Sequence, residues 1–136
     1  MGRVVAIDFG LKRTGLAVTD PLRIIASALD TVDSRALMPY LEGYCAKEQV
    51  DGFVLGLPVN LDGSDTDVTP NVRLLAAELK QRFAGRFVEL VDERFTSRMA
   101  QEALMASGKG RLARREKGQL DRISAAILLQ GWLSRK

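Results

Sequence analysis

The run Arg3-Val-Val-Ala-Ile-Asp-Phe9 carries an aspartate inside a stretch that otherwise belongs in a core, and Gly10 closes it. Its apolar neighbours make this a buried strand, and burying an ionised carboxylate beside them costs several kcal/mol, roughly, unless something compensates. The fold must therefore end this strand where Asp8 meets a cation, a hydrogen-bond donor or solvent. The same signature returns later, where Phe87-Val-Glu-Leu-Val91 runs into Asp92-Glu93. Strands that stop at carboxylates suit an α/β sheet, in which ligands bind beyond the C-terminal ends of parallel strands.

The rest of the chain supplies the partners of that first strand. Residues 16–19 form a second β-prone run after Thr14-Gly15, and Asp20-Pro21 marks a turn before a third over 23–29. Tight turns between three such runs predict an antiparallel meander. Asp33 or Ser34 is placed to cap a helix bearing Leu37, Leu41, Tyr44 and Cys45 on one face. A fourth strand over 52–55 stops at Gly56-Leu-Pro58, and a polar loop follows over 59–67. Thr69 as N-cap and Pro70 at the first helical position then open a helix with Val72, Leu75, Ala76, Leu79 and Phe83 at helical spacing.

After the fifth strand, over 87–91, Thr96 or Ser97 starts a helix running to about Gly108, and 109–118 reads as a basic loop. Leu120, Ile123, Ile127 and Leu128 define the apolar face of a last helix ending near Trp132, with Asp121 in its first turn. The expectation is one α/β domain over 1–136. Its mixed sheet has strands one, two and three antiparallel and strands one, four and five parallel, with helices on both faces.

Composition narrows the chemistry. With 46% apolar and 27% charged residues in a chain of 136, a folded domain with an ordinary core is expected. No apolar stretch approaches the roughly 18 residues of a membrane span, and no secretory pattern opens the chain, so the expected location is cytoplasmic. The single Cys45 has no disulfide partner and reads as a small buried hydrophobe. Histidine is absent. That removes Ser-His-Asp and Cys-His mechanisms and histidine-based zinc hydrolysis, leaving carboxylates, Lys, Tyr, Ser/Thr or a carboxylate-bound metal.

The 20 basic residues against 17 acidic ones are unevenly spread. Lys109, Arg111, Arg114, Arg115 and Lys117 crowd one segment and acids crowd 62–67, a distribution that suits a nucleic-acid binder. Taken singly, each feature has a plainer reading: Asp121 as a helix-capping acid, Asp92-Glu93-Arg94 as a surface ion pair, 109–117 as a solvated loop. Taken together, oxygen ligands without histidine or thiolates describe a site for Mg²⁺ or Mn²⁺, and basic neighbours fit a phosphodiester as the bond hydrolysed.

Four segments resemble the YqgF/RuvX family of small bacterial proteins with an RNase H-like fold, often described as Holliday-junction-resolvase-like. They are Asp8-Phe-Gly-Leu-Lys-Arg-Thr-Gly-Leu-Ala-Val-Thr-Asp20, Gly56-Leu-Pro with Asn60-Leu-Asp-Gly-Ser64, Asp92-Glu-Arg-Phe-Thr-Ser97, and Asp121-Arg-Ile-Ser-Ala-Ala-Ile-Leu-Leu-Gln130. They occur in order across nearly the whole chain. The resemblance implies an RNase H-like mixed sheet and a nuclease that matures the 5′ end of 16S ribosomal RNA, with Asp8, Glu93 and Asp121 holding Mg²⁺ or Mn²⁺. Lys12, Arg13, Arg94 and Arg98 would then face phosphates near the metal, and the 109–117 loop would clamp the backbone further away. A resolvase acting on branched DNA as a homodimer is the alternative to a monomeric RNA enzyme, and a non-catalytic ribosome-assembly factor is a third reading.

Overall fold

The computed structural model describes residues 2–92 and 117–135, the side chains of 117–120 excepted. Strands β1 (Arg3–Asp8), β2 (Arg13–Thr19), β3 (Ala26–Asp33), β4 (Val50–Leu57) and β5 (Phe87–Asp92) form one sheet in the order β3-β2-β1-β4-β5. β2 runs antiparallel to both β1 and β3, whereas β1, β4 and β5 are parallel. This is the mixed sheet expected from the sequence, with the first strand at its centre.

Period-two alternation sorts the residues of each strand onto two faces. Val5 and Ile7 of β1 and Phe53 and Leu55 of β4 pack in one buried cluster with helices α1 (Leu37–Lys47) and α2 (Thr69–Arg82). Val4, Ala6, Ala17, Val54 and Val91 form the other, beneath helix α3 (Lys117–Ser134). Alanine at 6, 17 and 125 keeps that second layer thin, so α3 lies close to the sheet.

Several local expectations shift. The third strand begins at Ala26, because the Asp20 carboxylate accepts from the backbone N–H of Ile24 at 2.7 Å and of Ile25 at 2.8 Å. Those amides are bound to a side chain, Arg23 turns through a φ of 57°, and Leu22, Ile24 and Ile25 face solvent. β-propensity yields there to turn chemistry. Thr69 does not cap α2: its hydroxyl donates to Pro58 O and accepts from Thr66 N, so it anchors the preceding loop, while Pro70 keeps its place in the first turn. Cys45 is half-buried against the core rather than enclosed, and desolvation raises its thiol pKa.

The last helix also differs from its expected form. It starts at Lys117, inside the stretch read as loop, and Ala125, Leu128, Leu129 and Trp132 are its buried face, with Ile123 and Ile127 at its flanks. Leu120 lies among the side chains not described, and the helix expected over 97–108 lies outside the described residues.

Among the described residues, four carboxyls are held below their usual range in the folded state. The Asp33 carboxyl falls to about 2 through hydrogen bonds from the Arg35 side chain and its backbone N–H. Asp20 is lowered by the Ile25 N–H, Asp51 by the Gly2 N–H and Arg23, and Asp65 by Arg73. A pKa lower in the folded than in the unfolded chain adds stability that is present above the ordinary carboxylate range and is lost as pH falls. Thermal melts followed by circular dichroism are expected to hold steady from neutral pH down to about 5, then drop between about pH 4 and 2.

Candidate active site at the carboxyl ends of the strands

Asp8 ends β1 at the centre of the sheet, half-buried, and shares the α3 face with Val4 and Ala6 by alternation. Its register partner across the antiparallel ladder is Gly15. Register partners in such a pair have Cα atoms roughly 4.5–5.5 Å apart. A Cβ on Gly15 would fall 2.0 Å from the carbonyl oxygen of Asp121 and 2.2 Å from its carbonyl carbon. Only a residue with no side chain lets α3 descend this far, and it descends beside Asp8. The backbone of Asp121 therefore lies against the register partner of Asp8, at one end of the sheet.

Asp121 sits one turn further into its helix than expected, since α3 begins at Lys117 and has no acidic residue in its first turn. The helix N-terminus is thus not what holds its charge. Arg13, at the start of β2, donates from Nε to Asp121 Oδ2 at 3.1 Å. The next residue, Arg122, reaches Thr31 Oγ1 of β3 at 3.2 Å and ties the same turn of the helix to the sheet.

The β1–β2 turn that carries Lys12 and leads into Arg13 is fastened from below by Ser34. The Ser34 amide donates to Lys12 O at 3.0 Å, and its hydroxyl donates to Gly10 O at 2.5 Å. With its proton so engaged, the Ser34 hydroxyl accepts from Thr14 Oγ1, which lies 2.8 Å away and is fully buried. The sequence marks Ser34 only as a possible helix cap, a role Asp33 fills by accepting from Arg35 N. Ser34→Ala leaves the buried Thr14 hydroxyl and Gly10 carbonyl without this partner, so denaturant titration should show a loss of about 1–2 kcal/mol.

Of the other predicted residues, Lys12 is exposed on the turn. Asp92 ends β5 in register with Leu57, is exposed, and falls by alternation on the face of Val88, opposite to Val91 and Asp8. Glu93, Arg94, Arg98, Lys109, Arg111, Arg114 and Arg115 lie outside the described residues, as does the side chain of Lys117. Among the described residues no three acidic or thiol side chains come together as a metal site; the candidate pair is Asp8 and Asp121. Its donors are all carboxylate oxygens, the set that suits a hard divalent cation.

A family model described as RuvX, Holliday junction resolvase, matches residues 2–135. The chain belongs to the RuvX family. A relative from Porphyromonas gingivalis is 47% identical over 133 residues, covering 98% of this chain and 96% of that one. Relatives from Bacteroides thetaiotaomicron and Flavobacterium psychrophilum are 42% and 40% identical over 136 residues, covering all of this chain and 99% of theirs. All three bear the name "Putative pre-16S rRNA nuclease". Among solved structures, Thermus thermophilus RuvC in complex with a Holliday junction superposes with a TM-score of 0.58 at 21% identity, over 99% of this chain and 96% of that one. At that identity the likeness is one of fold, and it gives this RuvX chain the RNase H-like architecture. No helix among its described residues is long and apolar enough to cross a membrane.

Proposed function

We propose that this RuvX protein is a metal-dependent endonuclease, one domain over 1–136, that hydrolyses phosphodiesters in precursor 16S ribosomal RNA in the cytoplasm. The observation that carries the reading is the descent of the Asp121 backbone onto Gly15, the register partner of Asp8, which brings an acid-bearing turn of α3 to the end of the central strand. A structural role alone does not require acids there, and their like charges repel unless a cation or a donor intervenes.

Asp8 and Asp121 are assigned as ligands of Mg²⁺ or Mn²⁺. Glu93 is assigned as the third by elimination, because the alternation of β5 sets Asp92 on the opposite face from Asp8. Bound there, the metal would lower the pKa of a water and offset charge on the leaving oxygen. The chain's own part is to hold the carboxylates fixed on a strand and a helix and to present Lys12 and Arg13 toward the phosphate backbone. Arg94, Arg98 and the basic residues Lys109, Arg111, Arg114, Arg115 and Lys117 are assigned to backbone contacts further along. With aromatic residues at 6% of the chain, recognition rests on backbone and shape more than on base stacking.

The name shared by the three relatives favours ribosomal RNA, whereas the family description and the RuvC complex keep a four-way DNA junction as the second substrate to test. The deciding experiment incubates the purified protein with precursor 16S RNA and with a synthetic junction, each with Mg²⁺, Mn²⁺ or a chelator. Cleavage of the RNA that chelator stops and metal restores is the expected result. Cleavage of the junction alone would reassign the substrate, and RNA binding without turnover under every condition would favour an assembly factor.

A further inference from the structure

Arg13 makes a contact that phosphate binding does not call for. Its guanidinium engages Asp121 Oδ2, one of the carboxylate oxygens assigned to the metal, and among the described residues Asp121 is the polar side chain it touches. A guanidinium stays charged at every pH at which proteins work, so it blocks that oxygen electrostatically as well as by occupying it. The two side chains keep 43% and 28% of their surface exposed, which makes the pair weak enough to exchange. A phosphate oxyanion is a stronger, bidentate partner for arginine. Arg13 also opens β2, just after the turn that Ser34 fastens at Gly10 and Lys12, so its side chain can swing from Asp121 to an incoming backbone while the main chain stays in place.

We propose that Arg13 is a latch on Asp121. Without nucleic acid it holds the carboxylate in place and weakens the grip of the site on a divalent cation; when a phosphate draws the guanidinium away, Asp121 turns its full charge to the metal. The inference rests on the metal-dependent reading above and adds to it an order of events, substrate before full metal loading. By linkage, metal must strengthen nucleic-acid binding by the same factor.

The test is Mn²⁺ binding, read as loss of the free-ion paramagnetic resonance signal, for the unaltered protein, R13Q, R13M and D8N, with and without a short single-stranded RNA. Signal lost to the RNA itself is subtracted with D8N, and circular dichroism confirms that each variant is folded. Without RNA, R13Q and R13M are expected to bind Mn²⁺ about fivefold more tightly than the unaltered protein, and RNA is expected to tighten the unaltered protein about fivefold while moving the variants little. An arginine that merely supported the fold would, when removed, loosen the metal. Equal or weaker Mn²⁺ binding by both arginine variants, beside clear binding by the unaltered protein and none by D8N, overturns the latch and leaves the metal site standing. If the unaltered protein and D8N bind Mn²⁺ equally poorly, the metal-dependent reading itself fails and takes the latch with it.

Discussion

Asp8→Asn is expected to lower cleavage of precursor RNA by about three orders of magnitude or more, since in its proposed role as a metal ligand Asp8 supports several kcal/mol of transition-state stabilisation and each 1.36 kcal/mol is about tenfold in rate. Asparagine keeps the shape of the side chain and removes its charge, so the variant tests the carboxylate at the end of β1 with little change of shape. RNA affinity measured in chelator should change by less than about threefold, because Asp8 is an acid and the backbone contacts belong to basic side chains. Gel-based cleavage assays and fluorescence anisotropy on one preparation separate the two effects. An Asp8→Asn protein that cleaves at the original rate would remove Asp8 from the chemistry.

Gly15→Ala is the second large effect, and it acts on the fold and the site together. The added methyl meets backbone atoms of Asp121, which no rotamer change can move aside, so α3 must lift from the sheet or β2 must bend. Overpacking against backbone is expected to cost about 3 kcal/mol, or about 10 °C in melting temperature for a chain of this length. Whatever protein remains folded should bind Mn²⁺ less well, because Asp121 is carried away from Asp8. Gly43→Ala is the control: it lies in α1 with nothing within 4 Å of its new methyl, and helix propensity alone should raise stability by about 0.5–1 kcal/mol. A Gly15→Ala melt that matches the Gly43→Ala melt would show that the close approach of α3 is not required.

Much of the sheet can be read from local chemistry, because runs such as Val4–Ile7 and Phe53–Leu55 are apolar enough to be buried on both faces. Asp8 stands out for the same reason, being an acid set against such a run. What escapes a linear reading is set by contacts between distant segments. The β-prone residues 23–25 leave the ladder because the Asp20 side chain captures two of their amides. The buried face of α3 follows Ala125 and Leu129 because small residues of the sheet draw the helix down, and neither isoleucine lies beneath it. Gly15 looks like an ordinary turn residue until Asp121 lands on it. Arg13, read from the sequence as a phosphate ligand, reaches an acid 108 positions away.

The placement of β1 at the centre of the sheet bears on how the protein comes into being. During translation, at about 5–20 residues per second, the first two strands emerge many seconds before the helix that must cover them. Until that helix arrives, Val4, Ala6 and Ala17 have nothing to shield them from water, and the two aspartates belong to separate parts of a nascent chain. On the proposed reading, hydrolytic competence is gained only once α3 has been made, and a polypeptide stalled before residue 117 is expected to be a ready client for chaperones while harmless to RNA.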